Sequence, residues 1–287
     1  MIRKPAVSGL FYESNPEQLK KTIENCFTHK LGIGKIPTLN KVNNKEDIEN
    51  NQGLISIIAP HAGYVFSLPT ASHSYYHLVT NGFPETFIII SPNHTGFGEE
   101  ISVFNEGKWI TPLGEVEVDS QFANKLIDNS NIAKGDYSAH IKEHGIEVQL
   151  PVLQYFSNDF KIVPIVISNQ NPETSKDIAQ SIIKTYNQLD TSISVIASTD
   201  LSHFNNQDIA ISEDNIIIDD IKNMDEVNLF RDVLYNHITM CGYGPVMASI
   251  LISKYFNKTA HILKHTSSGD ISGDYSSVVG YCSGIFK

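Results

Sequence analysis

Four short apolar runs constrain this chain most: residues 54–58 (Leu-Ile-Ser-Ile-Ile), 86–90 (Thr-Phe-Ile-Ile-Ile), 161–167 (Lys-Ile-Val-Pro-Ile-Val-Ile) and 193–197 (Ile-Ser-Val-Ile-Ala). Each has the length and β-branched content of a strand and is too short for a core helix. Their nearly continuous apolar character, without alternation, marks strands covered on both faces. Helical spacing fills the intervals at 70–78, 120–127, 143–155, 174–189 and 245–256. The alternation predicts an α/β fold, a mostly parallel central sheet flanked by helices.

Smaller signals extend the plan. Leu19, Ile23 and Phe27 recur at fourfold spacing, with Ser14 or Asn15 as the cap and Pro16 in the first turn. Pro112-Leu-Gly114 reads as a turn between two edge strands, and residues 278–282 as a last strand. Residues 28–52 turn polar and asparagine-rich, a surface loop or insertion inside one domain spanning 1–287.

Charge narrows the function classes. With 21 basic and 32 acidic residues, the balance of −11 gives no electrostatic footprint for nucleic acid or an anionic membrane. No apolar stretch approaches the ~20 residues of a membrane helix, and the first residues show no secretory pattern. Cys26, Cys241 and Cys282 are odd in number and far apart, which argues for a reducing compartment and a cytoplasmic protein.

The chemistry gathers at strand ends. Three of the apolar runs lead within a few residues to a histidine: Ile58-Ala-Pro-His61, Ile90-Ser-Pro-Asn-His94 and Ala197-Ser-Thr-Asp-Leu-Ser-His203. Ligands of open α/β sheets bind beyond the carboxyl ends of the strands. If these strands are parallel neighbours, the three imidazoles and Asp200 share one edge, a setting suited to a metal ion. Cys241, in the glycine-rich turn Met240-Cys-Gly-Tyr-Gly-Pro245 before a helix, is a candidate third ligand. The helix end and flexible glycines would favour its thiolate; a small packed cysteine is the plain alternative. Cys26 and Cys282 read as packing residues.

His140-Ile-Lys-Glu143-His144 fits the inverted zinc-protease pattern H-x-x-E-H. That pattern needs both histidines on one helix face, whereas Gly145 follows directly and the helical spacing begins only after it. His144 therefore reads as a residue supporting the ligands or facing the substrate, and His140 as solvated.

Several ordered blocks resemble the Memo family, also called AmmeMemoRadiSam system protein B, over nearly the whole chain. They are Arg3-Lys-Pro-Ala-Val-Ser-Gly-Leu-Phe-Tyr12, Ala59-Pro-His-Ala-Gly-Tyr64, Ser91-Pro-Asn-His94, Thr111-Pro-Leu-Gly114, Glu143-His-Gly-Ile-Glu-Val-Gln-Leu-Pro151, Ser198-Thr-Asp-Leu-Ser-His203, Cys241-Gly-Tyr-Gly-Pro245 and Gly273-Asp-Tyr-Ser-Ser-Val-Val-Gly-Tyr281. The resemblance implies a fold similar to the class III extradiol (LigB-like) non-haem iron dioxygenases. It implies metal ligands at His61, His94 and Cys241, with Asp200, His203 and His144 at the site. The dioxygenases use two histidines and a carboxylate; Cys241 in the carboxylate's place keeps ring cleavage from being carried over.

Three functions stay open. The first is a metal-dependent oxidoreductase holding iron or copper ahead of zinc, with His203 as proton shuttle and Asp200 orienting it. The second is a binding protein that takes a small molecule or peptide in a vestigial pocket without turnover. The third is a zinc hydrolase with Glu143 as base. Self-association into a homo-oligomer also stays open.

Overall fold

The computed structural model describes residues 1–42, 45–46 and 55–287. Its centre is a sheet of twelve strands among the described residues. They are β1 (Ile2–Arg3), β2 (Ser56–Ala59), β3 (Thr86–Pro92), β4 (Ile101–Val103), β5 (Lys108–Thr111), β6 (Gly114–Val118), β7 (Lys134–Gly135), β8 (Lys161–Ile167), β9 (Ile193–Ser198), β10 (His203–Asn205), β11 (Ala260–Ser267) and β12 (Val278–Phe286). The spatial order is β1-β5-β6-β8-β3-β9-β2-β12-β10, with β4 also on β8 and β11 also on β12. The four apolar runs became β2, β3, β8 and β9, neighbours in the middle of the sheet. Leu54, the first residue of one run, lies outside the described residues.

The sheet is mixed, which corrects the expectation of a mostly parallel one. Parallel pairing runs through β6, β8, β3, β9 and β2. Antiparallel pairs flank it: β5–β6, β4–β8, β2–β12, β11–β12 and β10–β12. Apolar runs report burial on both faces and say nothing about the direction of a neighbour. Connection length carries that information, because a two-residue turn such as Pro112-Leu113 permits only an antiparallel return.

Helices cover both faces: α1 (Pro16–Thr28), α2 (Tyr64–Thr80), α3 (Ser120–Asn129), α4 (Leu150–Phe156), α5 (Pro172–Gln188), α6 (Gln207–Lys222), α7 (Glu226–Tyr235) and α8 (Tyr243–Tyr255). Asn15 caps α1 by accepting the N–H groups of Glu17 and Gln18, as its placement before Pro16 predicts. Buried positions run around most of α2 and α8, so these two pack inside the molecule. The helix expected over 143–155 is shorter. Residues 143–146 form no helix, Glu147–Gln149 make one 3₁₀ turn, and α4 begins at Leu150. Glu143 and Glu147 turn inward to hydrogen-bond other segments, which pulls the chain off a helical path.

Of the polar stretch 28–52, residues 43–44 and 47–52 lie outside the described residues. The described part pairs with the domain through a bridge between Lys41 and Phe83. No described helix is long and apolar enough to cross a membrane.

Candidate metal centre

β2 and β3 both pair in parallel with β9, so three carboxyl ends stand side by side. His61 follows β2, His94 follows β3, and Thr199-Asp200 follow β9. The strand-end histidines therefore meet for the reason their positions predict. Their rings lie 5.0 Å apart between centroids, edge to face.

Cys241 reaches the same point from the turn before α8. Its Sγ lies 3.2 Å from His61 Nε2 and accepts the Asp200 N–H at 3.1 Å. The turn is pinned, not flexible: Gly242 N–H donates to Thr199 Oγ1 (2.9 Å) and Gly244 N–H to Gln170 Oε1 (2.8 Å). The Gln170 amide in turn donates to Cys241 O (2.8 Å). A Cβ on Gly242 would sit 2.6 Å from Thr199 Cβ and 2.7 Å from Ser198 O. Glycine here serves close approach to the end of β9, which corrects the expectation of a mobile turn.

Hydrogen bonds set the histidine tautomers. Ser198 Oγ donates to Gly145 O (2.6 Å), so its oxygen can only accept from His61 Nδ1 at 2.9 Å. His61 is thus Nδ1-protonated, with its Nε2 lone pair toward Cys241. Glu143 accepts the His94 backbone N–H and Nδ1–H, each at 2.8 Å, and the Gly145 N–H at 2.9 Å. Burial alone pushes the Glu143 carboxyl up; the His94 bond and charge, with the Gly145 N–H, hold it down at about 2. Glu143 is a carboxylate, and a carboxylate fixing the far nitrogen of an imidazole is the usual support of a metal-bound histidine.

The donor set fits a metal ion. The ligand atoms of His61, His94 and Cys241 all lie within 4.8 Å of one another. Bonds of ~2.0–2.3 Å around a tetrahedral ion put N and S donors roughly 3.3–3.8 Å apart, so a small inward movement closes the set. Burial, then the neighbouring His94, lowers His61 to about 3, which keeps it a neutral ligand. Burial and the Asp200 charge push the Cys241 thiol up, against the expected help from the helix end; a bound cation would deprotonate a coordinating thiol outright. His94, Glu143 and His144 form a second group of suitable spacing. Glu143 is already committed to three donors there, which favours the first group.

The other sequence-predicted site residues surround this point. His144 stacks on His94 (4.5 Å, 30°), meets His61 edge-on (5.2 Å) and touches Phe11 (4.9 Å). Burial, then the adjacent His61, lowers it to about 4. Asp200 Oδ1 accepts the His61 backbone N–H at 2.8 Å, and Oδ2 lies 4.0 Å from His61 Nε2. Burial raises the Asp200 carboxyl. His203 lies in β10, where its Nδ1–H donates to Thr239 O at 2.9 Å. The Thr239 carbonyl supplies the orienting bond expected from Asp200.

His140 is fully buried, correcting its solvated reading. Its Nε2 bonds Ser102 O (3.2 Å), Phe104 and Trp109 pack edge-on to it, and burial lowers it to about 4. Ser198 and the orienting role of Glu143 escaped the sequence reading. For Glu143 a signal existed, an acid inside the H-x-x-E-H match; for Ser198 only its position at the end of β9 hinted at it.

A family model described as Memo-like protein matches residues 3–285. A MEMO1 family protein of Methanobrevibacter smithii is 54% identical over the full length of both chains. MEMO1 family proteins of Sulfurisphaera tokodaii and Sulfolobus acidocaldarius are 48% and 46% identical, each covering 99% of this chain and 98% of their own. With the histidine-bearing strand ends and the cysteine turn inside that match, the chain belongs to the Memo family.

Proposed function

We propose that this protein is a metal-dependent oxidoreductase whose centre is His61, His94 and Cys241, loaded with iron or copper. One observation carries the reading. Ser198 and Glu143 occupy the Nδ1–H groups of the two histidines, so both imidazoles keep a lone pair for an ion beside the Cys241 sulfur. A soft thiolate with two imidazoles suits a redox metal, which would supply electron transfer to or from a bound substrate. The likeness to the extradiol dioxygenase fold inferred from the sequence blocks agrees with this chemistry.

The protein's own residues would bind and move protons. His144, half-buried and stacked on His94 with its Nδ1 3.6 Å from Glu143 Oε1, stands beside the ligand atoms, where a substrate would meet the centre. His203 donates from Nδ1 to Thr239 O, which leaves Nε2 as an acceptor. Asp200 holds the His61 backbone in place. The zinc-hydrolase reading requires Glu143 to activate water, and its commitment to His94 and Gly145 leaves it poorly placed for that. A non-catalytic pocket for a small molecule or peptide is the competing reading.

The test is the metal content of protein isolated without added metal, compared with His61→Ala and Cys241→Ser. Iron or copper in the wild type and its loss from both variants supports the centre. Equal metal in all three overturns it. Oxygen consumption with catechol-like substrates then separates an enzyme from a binding protein.

A further inference from the structure

We infer that Arg3 is a positioning residue for His94, acting from 140 residues earlier in the chain through the loop that carries Glu143. The inference deepens the metal-centre reading and rests on it only for its consequence in metal affinity.

Residues 141–146 have no sheet or helix ladder to hold them. Side chains do it instead. Arg3 donates from Nε to His140 O (3.1 Å) and from Nη2 to Glu143 O (2.6 Å), and its Nη1 pairs with the Glu147 carboxylate. The guanidinium lies 4.4 Å over the Trp109 ring, and both partners of the ion pair are buried. Glu147 also accepts the Ala6 and Val7 N–H groups and the Tyr12 hydroxyl (2.8, 3.0 and 2.6 Å). One buried pair thus ties residues 3–12 to both ends of the loop.

The consequence falls on one ligand. Arg3 grips the backbone carbonyl of the residue whose side chain orients His94. His61 is held by Ser198, which is fixed on β9 and by the Gln149 amide (2.9 Å) and shares with this loop only its bond to Gly145 O. Loosening the Arg3 grip should therefore free His94 more than His61. Three acceptors at fixed angles need the planar fork of an arginine; a lysine ammonium carries the charge without that geometry.

The experiment uses the metal-free full chain with ¹⁵N-labelled histidine and follows solvent exchange of the two Nδ1–H protons by NMR. Wild type, Arg3→Met, Arg3→Lys and Leu229→Ala are compared. Leu229 is buried in α7, which carries no site residue, and serves as the stability control. In Arg3→Met, exchange at His94 is expected to rise about tenfold, the scale of one lost hydrogen bond. Exchange at the His61 proton should change far less, and Arg3→Lys should share the His94 effect. Cobalt(II) affinity should fall by roughly tenfold in both Arg3 variants, as for other lost supports of a ligand.

An unchanged His94 proton overturns the inference, as does parallel loosening of His61 and His94 or the same pattern in Leu229→Ala. If Arg3→Met does not fold, Arg3→Lys decides by the same comparison. Wild-type cobalt affinity in Cys241→Ser would sink the metal centre itself and leave the NMR comparison to judge Arg3.

Discussion

Glu143 holds His94 twice, accepting its backbone N–H and its Nδ1–H at 2.8 Å each, from a position 49 residues later in the chain. The imidazole is therefore fixed in position, in plane and in tautomer by one carboxylate.

Replacing that carboxylate should weaken the centre without removing a ligand. Glu143→Gln keeps the size, but its amide can donate where the carboxylate only accepts, so the His94 tautomer is no longer dictated. We expect metal affinity to fall by about 10–100-fold, read by competition against a chromophoric chelator. An affinity equal to wild type would show that His94 needs no such support.

Gly242 tests the close approach of the cysteine turn. A methyl group there meets Thr199 Cβ and Ser198 O well inside contact distance. Gly242→Ala should lower stability by about 1–3 kcal/mol and displace Cys241 from His61. Chemical denaturation measures the first effect. Weakening of the sulfur-to-metal charge-transfer band in the copper(II) or cobalt(II) protein measures the second.

Glu147→Ala strands the buried Arg3 guanidinium. Loss of one partner of such a pair costs about 3–5 kcal/mol, far more than an exposed pair such as Lys20–Glu17 is worth. Urea denaturation of Glu147→Ala beside Glu17→Ala checks the contrast: a large drop in the first and almost none in the second.

Asp220 gives a pH dependence with a definite sign. Its Oδ2 is buried without a hydrogen-bond partner among the described residues. Burial first, then repulsion from Asp232, Asp225 and Asp219 against weaker relief from Arg231, raises the carboxyl to about 6. The folded state therefore binds the proton more tightly than the unfolded one, and this site loses stability as pH rises from about 4 to 6. Asp220→Asn should stabilise the protein at pH 8 by roughly 1 kcal/mol, allowing for solvent screening, with the gain vanishing near pH 4. Melting temperatures of both proteins from pH 4 to 8 check it.

The strand-end arrangement was already written in the order of the residues: apolar runs of strand length, three of them stopped near a histidine, have few other ways to bury themselves. That pattern is local, so His61, His94 and the α/β class were legible; the glycine-rich turn offered Cys241 as a candidate, and the family blocks favoured its ligand reading over packing. Their surroundings come from segments far apart in the chain. His140 looked exposed because the segments that cover it, around Trp109 and Arg3, come from far earlier in the chain. Glu143 and Ser198 meet their histidines across 49 and 137 residues, and the antiparallel flanks follow from connections whose paths no apolar run encodes. Hydrogen bonds between distant segments set tautomers and burial, and they exist only once the chain has closed on itself.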